Sequence, residues 1–279
     1  MESFLRQGSH LVEEARKRRP WFIFLDFDGT LVPIVRRPEW ARMPAATKQV
    51  LRNLARLPGT HVAVVSGRAL SDIRRKVGLA DIGYVGNHGL EIAYGEKRFR
   101  LPEAARHRPF LKRLADSLAL TLARQPGAQL EWKGLSASLH WRGMPRERQA
   151  RFRRAVLEAL KPLDAAGKIR LAIGKQVAEI RPPLEWDKGA AVRWLLKVFR
   201  SRKRKGEPFV VFVGDDRTDE DAFRAINAMG GRSVLVSVRG RPSLARFRLR
   251  DPDAVRLWLE FAYRTLSRAD KSRRVKRRR

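Results

Sequence analysis

Trp21-Phe22-Ile23-Phe24-Leu25-Asp26-Phe27-Asp28-Gly29-Thr30 is the stretch from which the fold is read. Five apolar residues in a row, too few for a helix, predict a buried strand over residues 21–26. Two aspartates follow, two positions apart. In an extended chain alternate side chains share a direction, so Asp26 and Asp28 point the same way. Two carboxylates that close repel unless a cation or a proton lies between them. Gly29 then permits a tight turn just past them. Thr30 can bond back to the backbone and hold the pair.

Outward from this strand the pattern alternates. Residues 44–57 carry Val50, Leu51, Leu54 and Leu57 at helical spacing, stopped by Pro58-Gly59. Residues 61–65 read as a second strand ending at Ser66-Gly67-Arg68. Residues 69–77 read as a helix with Leu70, Ile73 and Val77 on one face. Residues 83–85 form a third strand before Gly86-Asn87-His88-Gly89. Such strand–helix–strand units predict a parallel sheet. The rhythm stops near residue 104. Helices over 110–123 and 147–160 and strands over 128–130, 136–141, 169–173 and 176–180 follow in the order α, β, β, α, β, β. That order predicts a small α+β layer with its own sheet. After Pro182-Pro183 the first rhythm resumes: a helix over 188–199, a strand over 209–213, a helix over 219–229 and a strand over 233–238. A helix over 251–265 closes the fold, with Asp251 as its cap and Pro252 at its first position. The expected organisation is a basic N-terminal arm (1–19), an α/β core (20–103 and 184–266), an inserted α+β unit with its hinge (104–183) and a basic disordered tail (267–279).

Ligands of open parallel sheets bind beyond the C-terminal ends of the strands. Those ends collect Asp26 and Asp28, then Ser66, then Asp215, Asp216 and Asp219. Lys188 opens a helix near the same rim. An isolated aspartate after a strand is a turn or cap former. Gathered together, these aspartates make an oxygen-rich, sulfur-free site, which suits magnesium.

Composition bounds the alternatives. The chain has 279 residues, 43% of them hydrophobic, enough for a proper core and against wholesale disorder. It has no cysteine, which excludes disulfides, thiolate metal sites and cysteine nucleophiles. Lys and Arg number 61 against 29 Asp and Glu, a formal charge of +32, with basic runs at 16–19, 202–205 and 273–279. Such a surface attracts anions and can hold nucleic acid nonspecifically. No helix-turn-helix, zinc-finger or RNP signature makes that binding specific. No stretch approaches the ~18 to 20 apolar residues of a membrane span, and no signal-peptide pattern precedes the first strand. A cytoplasmic monomer is the expectation.

Asp26-Phe27-Asp28-Gly29-Thr30-Leu31 resembles the DxDGT signature of the haloacid-dehalogenase-type (HAD) phosphatases. Ser66 resembles their second motif, Lys188 their third, and Gly214-Asp215-Asp216 with Asp219 their fourth, in the expected order. The resemblance implies an α/β fold: a Rossmann-like parallel-sheet HAD core with an inserted α+β cap domain. It implies Asp26 as the nucleophile that becomes an aspartyl-phosphate and Asp28 as the acid/base. It implies Asp26, the backbone carbonyl of Asp28 and Asp215 as Mg²⁺ ligands, with Asp216 and Asp219 supporting the metal. Lys188 would add a point charge, and Ser66 a hydrogen bond to a phosphoryl oxygen.

Gly86-Asn87-His88-Gly89-Leu90-Glu91, Glu131-Trp132-Lys133-Gly134, Ser138-Leu139-His140-Trp141-Arg142 and Glu179-Ile180-Arg181-Pro182 add a second layer. With the core motifs they are similar to the trehalose-6-phosphate phosphatases, over about residues 20–262. This implies Mg²⁺-dependent hydrolysis of trehalose 6-phosphate to trehalose and phosphate. Glu131, Lys133 and Glu179 would bind the glucose hydroxyls from the cap, with Arg68, Asn87 and His88 as substrate contacts on the core side. Related phosphatases of sucrose 6-phosphate and of glucosyl- or mannosyl-phosphoglycerate share the core and stand as alternatives. A non-enzymatic nucleic-acid-binding role is the remote one, since five aspartates on one rim would repel DNA. Trehalose-6-phosphate synthase, the enzyme that makes the substrate, is a candidate transient partner for the basic tail.

Overall fold

The computed structural model describes residue 18 and residues 20–174, 176–200 and 208–276. The expected arm over 1–19 and the basic run at 202–205 fall almost wholly outside them. β1 (Trp21–Leu25) lies between β2 (Thr60–Val65) and β10 (Phe209–Gly214) and is parallel to both, with Leu25 opposite Val64 and Val213. β3 (Gly83–Gly86) extends the sheet in parallel past β2, and β11 (Arg232–Val236) and β12 (Phe247–Leu249) extend it past β10. β4 (Glu91–Tyr94) and β5 (Lys97–Arg100) add an antiparallel hairpin, giving the order β12-β11-β10-β1-β2-β3-β4-β5.

Every residue of β1 is buried, and the period of two sorts its side chains between two cores. Trp21, Ile23 and Leu25 join Phe209, Val211 and Val213 on one side, while Phe22 and Phe24 join Val210 and Phe212 on the other. The first side is covered by α1 (Ala45–Ala55), α2 (Leu70–Val77) and α7 (Pro252–Lys276), through Leu51, Ile73 and Leu259. The second is covered by α5 (Lys188–Arg200) and α6 (Glu220–Ala228), through Leu195 and Phe223. Each such fully buried apolar side chain contributes roughly 1.5–3 kcal/mol. The central strand is therefore held from both faces and both edges, and it carries Asp26 at its end.

Between β5 and α5 the chain builds a second sheet. α3 (Pro102–Leu122), β6 (Gln129–Trp132), β7 (Ala137–His140), α4 (Arg146–Ala165), β8 (Arg170–Gly174) and β9 (Val177–Arg181) follow the expected order. The sheet is antiparallel, ordered β6-β7-β9-β8. Leu139, Ala178 and Ile180 pack with Leu111 of α3 and Leu160 of α4. Alternation sends the intervening residues to the other face. The register there places Glu131 opposite Ser138 and Ser138 opposite Glu179, a polar row across three strands.

Neither the β4–β5 hairpin nor β12 is expected from the sequence. Lys97-Arg98-Phe99-Arg100 holds one apolar residue, so its alternation is faint, and β12 has three residues. α3 starts at Pro102, ahead of the expected 110, with proline in its first turn. α7 runs to Lys276, through most of the segment expected as a disordered tail from 267. Arginine and lysine are good helix formers, and Leu266 is fully buried, so the helix continues past 265. No helix among the described residues is long and apolar enough to cross a membrane.

Candidate active site

The strands after β1 run off to one side of it and β10 to the other, so a crevice opens at the ends of β10, β1 and β2. Asp26 is fixed by its neighbour: its N–H donates to Val213 O at 2.9 Å. The chain then turns, with the N–H groups of Leu31 and Val32 on Phe27 O and that of Gly29 on Val32 O. Gly29 sits at φ +88°, and a Cβ there would overlap the Asp215 carboxylate. The turn needs glycine for its conformation and for its clearance.

Oxygens of Asp26, Asp215 and Asp219 lie within 4.8 Å of one another, and all three residues are buried. Lys188, the first residue of α5, donates from Nζ to Asp26 Oδ1 and to Asp219 Oδ1, both at 2.7 Å. Asp219 Oδ2 accepts the Asp216 N–H at 2.9 Å. Burial pushes the Asp26 carboxyl well above its ordinary range; Lys188 opposes this, and the charges of Asp219 and Asp215 add to it. Burial alone would lower Lys188, but Asp219 and Asp26 outweigh it and hold the ammonium charged. One ammonium does not balance three buried carboxylates. The donors are all oxygen, and glycine backbone closes on one of them. A small hard dication such as Mg²⁺ fits that set. Asp219 stands in the cluster but is committed to Lys188 and to the Asp216 backbone.

The Asp28 carboxylate is outside this cluster. It accepts a bidentate pair from Arg68, Nε to Oδ2 at 2.6 Å and Nη2 to Oδ1 at 2.7 Å. Arg68 is buried, and its remaining N–H groups reach Asp72 at 3.0 Å and Pro38 O at 2.9 Å. Ser66 Oγ accepts the Arg68 N–H at 3.1 Å. Arg68, expected as a substrate contact, is thus occupied by Asp28.

The polar row of the second sheet faces this rim. Glu179 is buried. Its Oε2 accepts Ser138 Oγ at 2.8 Å and lies 3.3 Å from Lys133 Nζ. Burial would raise the Glu179 carboxyl, but Lys133, His88 and the Ser138 bond hold it well below its ordinary range. Glu131 faces His140, Oε2 to Nε2 at 3.2 Å, and is also lowered: burial opposes, while Lys133 and His140 prevail. From the core, His88 Nε2 lies 3.1 Å from Glu179 Oε2, and Asn87 is fully buried with its amide bonded to Lys133 O and Ser136 Oγ. Asn87 and His88 both hold left-handed backbone, at φ +50° and +56°. Each such non-glycine residue costs about 1–3 kcal/mol.

One cleft is therefore lined by Asp26, Asp28, Ser66, Arg68, His88, Lys188, Asp215 and Asp216 from the large sheet and by Glu131, Lys133 and Glu179 from the small one. Arg142 and Ser138 carry no role from the sequence alone. Arg142 lines the same cleft and donates to Val35 O at 2.7 Å and to Gln176 Oε1 at 3.1 Å, tying the small sheet to the loop after β1. The period of two from Ser138 to His140, set against Glu179, is the signal that could have marked Ser138.

The family model for trehalose-phosphatases matches residues 24–253. A trehalose-phosphate phosphatase of Mycobacterium avium (strain 104) is 37% identical over 240 residues, which cover 82% of this chain and 59% of that protein. Trehalose-phosphate phosphatase B of Arabidopsis thaliana is 32% identical over 259 residues, 89% of this chain and 68% of that one. The chain thus spans about three fifths of the length of its mycobacterial relatives and about two thirds of that of its plant ones. The C-terminal domain of a C. albicans trehalose-6-phosphate phosphatase superposes with a TM-score of 0.82 at 23% identity, covering 92% of this chain and 96% of that one. An Aspergillus fumigatus trehalose-6-phosphate phosphatase gives 0.63 at 26% identity, covering 92% and 97%. A match running from the first core strand to the last helix, through both sheets and every aspartate of the rim, places this chain in the trehalose-phosphatase family.

Proposed function

We propose that this chain hydrolyses trehalose 6-phosphate to trehalose and inorganic phosphate, with Mg²⁺, through a phosphoryl group carried on Asp26. One observation carries the reading. Phosphate chemistry from the core and polyol chemistry from the small sheet line the same cleft. Residues 20–103 and 184–266 serve as the catalytic core and 104–183 as the cap.

Asp26 Oδ attacks phosphorus, the bond from phosphorus to the sugar oxygen breaks, and the leaving oxygen takes a proton from Asp28. Water then attacks phosphorus, Asp28 takes its proton, the Asp26–phosphorus bond breaks and phosphate leaves. Asp26, Asp215 and the Asp28 carbonyl would hold Mg²⁺, with Asp216 and Asp219 behind them, and the bound ion would supply the positive charge that relieves the repulsion between carboxylate and phosphate dianion. Lys188 keeps Asp26 oriented, and Ser66 offers its hydroxyl to a phosphoryl oxygen. Both oxygens of Asp28 accept one N–H from Arg68, which fixes the direction of the carboxyl and leaves a second lone pair on each oxygen for the proton.

Glu131 and Glu179 accept from sugar hydroxyls and Lys133 donates to one. A buried polar site of this kind discriminates strongly against an analogue lacking a hydroxyl. On the core side Arg68 acts through Asp28 and Asn87 through the Lys133–Ser136 turn, while His88 lines the cleft beside Glu179. The same reading takes the chain as a cytoplasmic monomer acting on a diffusible sugar phosphate. Phosphate release from a panel of sugar phosphates with Mg²⁺ tests it, and trehalose 6-phosphate should be preferred. Equal or better turnover of sucrose 6-phosphate or of a glucosyl- or mannosyl-phosphoglycerate would overturn the substrate. No Mg²⁺-dependent release from any of them would overturn the enzyme.

A further inference from the structure

We propose that Asn87-His88 is a core-borne template that sets the sugar-binding groups of the cap, so that disaccharide selectivity exists only while the cap is seated on the core. This rests on the reading of Lys133 and Glu179 as sugar-binding groups.

The dipeptide is anchored on the core by its backbone. Asn87 N–H donates to Arg68 O at 2.7 Å and His88 N–H to Ser66 O at 3.1 Å, on the loop that carries the phosphate-side residues. Its side chains serve the cap. Asn87 Nδ2 donates to Lys133 O at 3.1 Å, and Asn87 Oδ1 accepts from Ser136 Oγ at 2.8 Å. These two bonds grip both ends of a turn that Lys133 N–H closes on Ser136 O at 2.9 Å. The second Nδ2 proton of Asn87 goes to Glu91 Oε2 at 2.6 Å. Every polar atom of the Asn87 amide is thus taken by protein, and the residue is fully buried. Asn87 is a positioning residue rather than a substrate contact.

His88 performs the same task on the next strand. Its ring fills the space above Gly67, where a Cβ would overlap it, and brings Nε2 to 3.1 Å from Glu179 Oε2. In extended backbone two adjacent side chains would point to opposite faces. The left-handed pair lets both reach the cap, one to the Lys133–Ser136 turn and one to β9. The Lys133 turn and the Glu179 carboxylate therefore each take a core contact, and tilting the cap away removes both together. Conformations of this cost persist where the surroundings over-determine them.

Steady-state kinetics on trehalose 6-phosphate and on p-nitrophenyl phosphate test this in the full chain with Mg²⁺. Asn87→Gly keeps the backbone at ease with positive φ and removes the amide. His88→Asn keeps a residue that tolerates that conformation but is too short to reach Glu179. Ser136→Ala removes one side of the grip and leaves the residues of the left-handed pair in place, so it covers the case in which the first two variants fold poorly. The expected result is a KM for trehalose 6-phosphate raised about tenfold in Asn87→Gly, which loses the buried bonds of its amide to the cap, and about threefold in His88→Asn and in Ser136→Ala. The fall in kcat should be smaller than the rise in KM, and the preference for the disaccharide ester over the aryl ester should collapse in parallel. Variants that keep the wild-type KM and preference, or that lose both esters equally, would overturn the template. A wild type with no preference for trehalose 6-phosphate would instead sink the functional reading beneath it, and the template with it.

Discussion

Asp26 joins architecture and chemistry in one carboxylate, fixed by the most buried strand of the fold and held by Lys188 at 2.7 Å. Asp26→Asn should lower phosphate release by about 10³-fold or more, as loss of an attacking group does. Because burial and two neighbouring carboxylates disfavour the charged form of Asp26, the neutral amide should leave the melting temperature in metal-free buffer unchanged or raised. Turnover within tenfold of wild type would remove Asp26 from the nucleophile role. His88 offers a second prediction at this scale. Burial drives its imidazole down from 6.5 to about 4, against the pull of Glu179. Between those two values the unfolded chain takes up a proton that the folded one refuses. Stability therefore falls as the pH drops from 6.5 toward 4 and is flat above 6.5. At pH 5 the loss is about 2 kcal/mol. Glu179 works at lower pH, since its contribution is present above the unfolded carboxylate value and is lost only as the pH falls through its own depressed one. Denaturant unfolding at pH 7.5 and pH 5 should show a smaller drop for His88→Asn than for wild type. Equal drops would mean that His88 titrates normally in the folded chain.

Cap and core meet through few elements, and Arg142 bridges two of them. Its guanidinium spans from the loop after β7 to Val35 O beyond β1 and to Gln176 in the β8–β9 turn. Arg142→Ala should raise amide hydrogen exchange in residues 33–41 and in the β8–β9 turn while leaving β1 and β10 protected. Unchanged exchange in both segments would show that the cap is seated without it. Elements differ in how far their sequence announces them. β1 is legible because five buried apolar residues end on paired aspartates, and the small sheet because helices and strands alternate in the order α, β, β, α, β, β before Pro182-Pro183. The β4–β5 hairpin is not, because pairing with β3 rather than its own composition makes Lys97-Arg98-Phe99-Arg100 a strand. The grip of Arg68 on Asp28 joins residues 40 apart in sequence, and no local spacing encodes it. Asn87 and His88 adopt positive φ as neighbours, a conformation that tertiary contacts impose and local propensity does not. The motif residues could be named in advance; which of them face substrate and which face each other depends on these long-range bonds.

Across the whole molecule a formal charge of +32 surrounds a cleft whose floor holds a cluster of carboxylates. The two ligands of the proposed reaction feel that field with opposite signs. A sugar phosphate dianion is drawn toward the protein at long range, and a dication is repelled until it reaches the aspartates. Added monovalent salt screens exposed charges beyond about 8–10 Å but hardly touches buried contacts. Raising the salt from about 0.05 to about 0.3 M should therefore raise the KM for trehalose 6-phosphate. Over the same range the Mg²⁺ concentration that half-saturates the protein should stay level or fall, the reverse of what an exposed acidic site would show. Mg²⁺ saturation can be followed without turnover. Binding to the folded state alone raises stability by about 2.7 kcal/mol at a hundredfold excess over Kd, which a melting curve reads directly. Asp215→Asn should abolish that shift while the chain stays folded, since it removes one of three buried carboxylates that repel one another. A Mg²⁺-induced shift that survives Asp215→Asn, or one that weakens steeply with salt, would place the ion on the outer surface and leave Asp26 without the cation its chemistry requires.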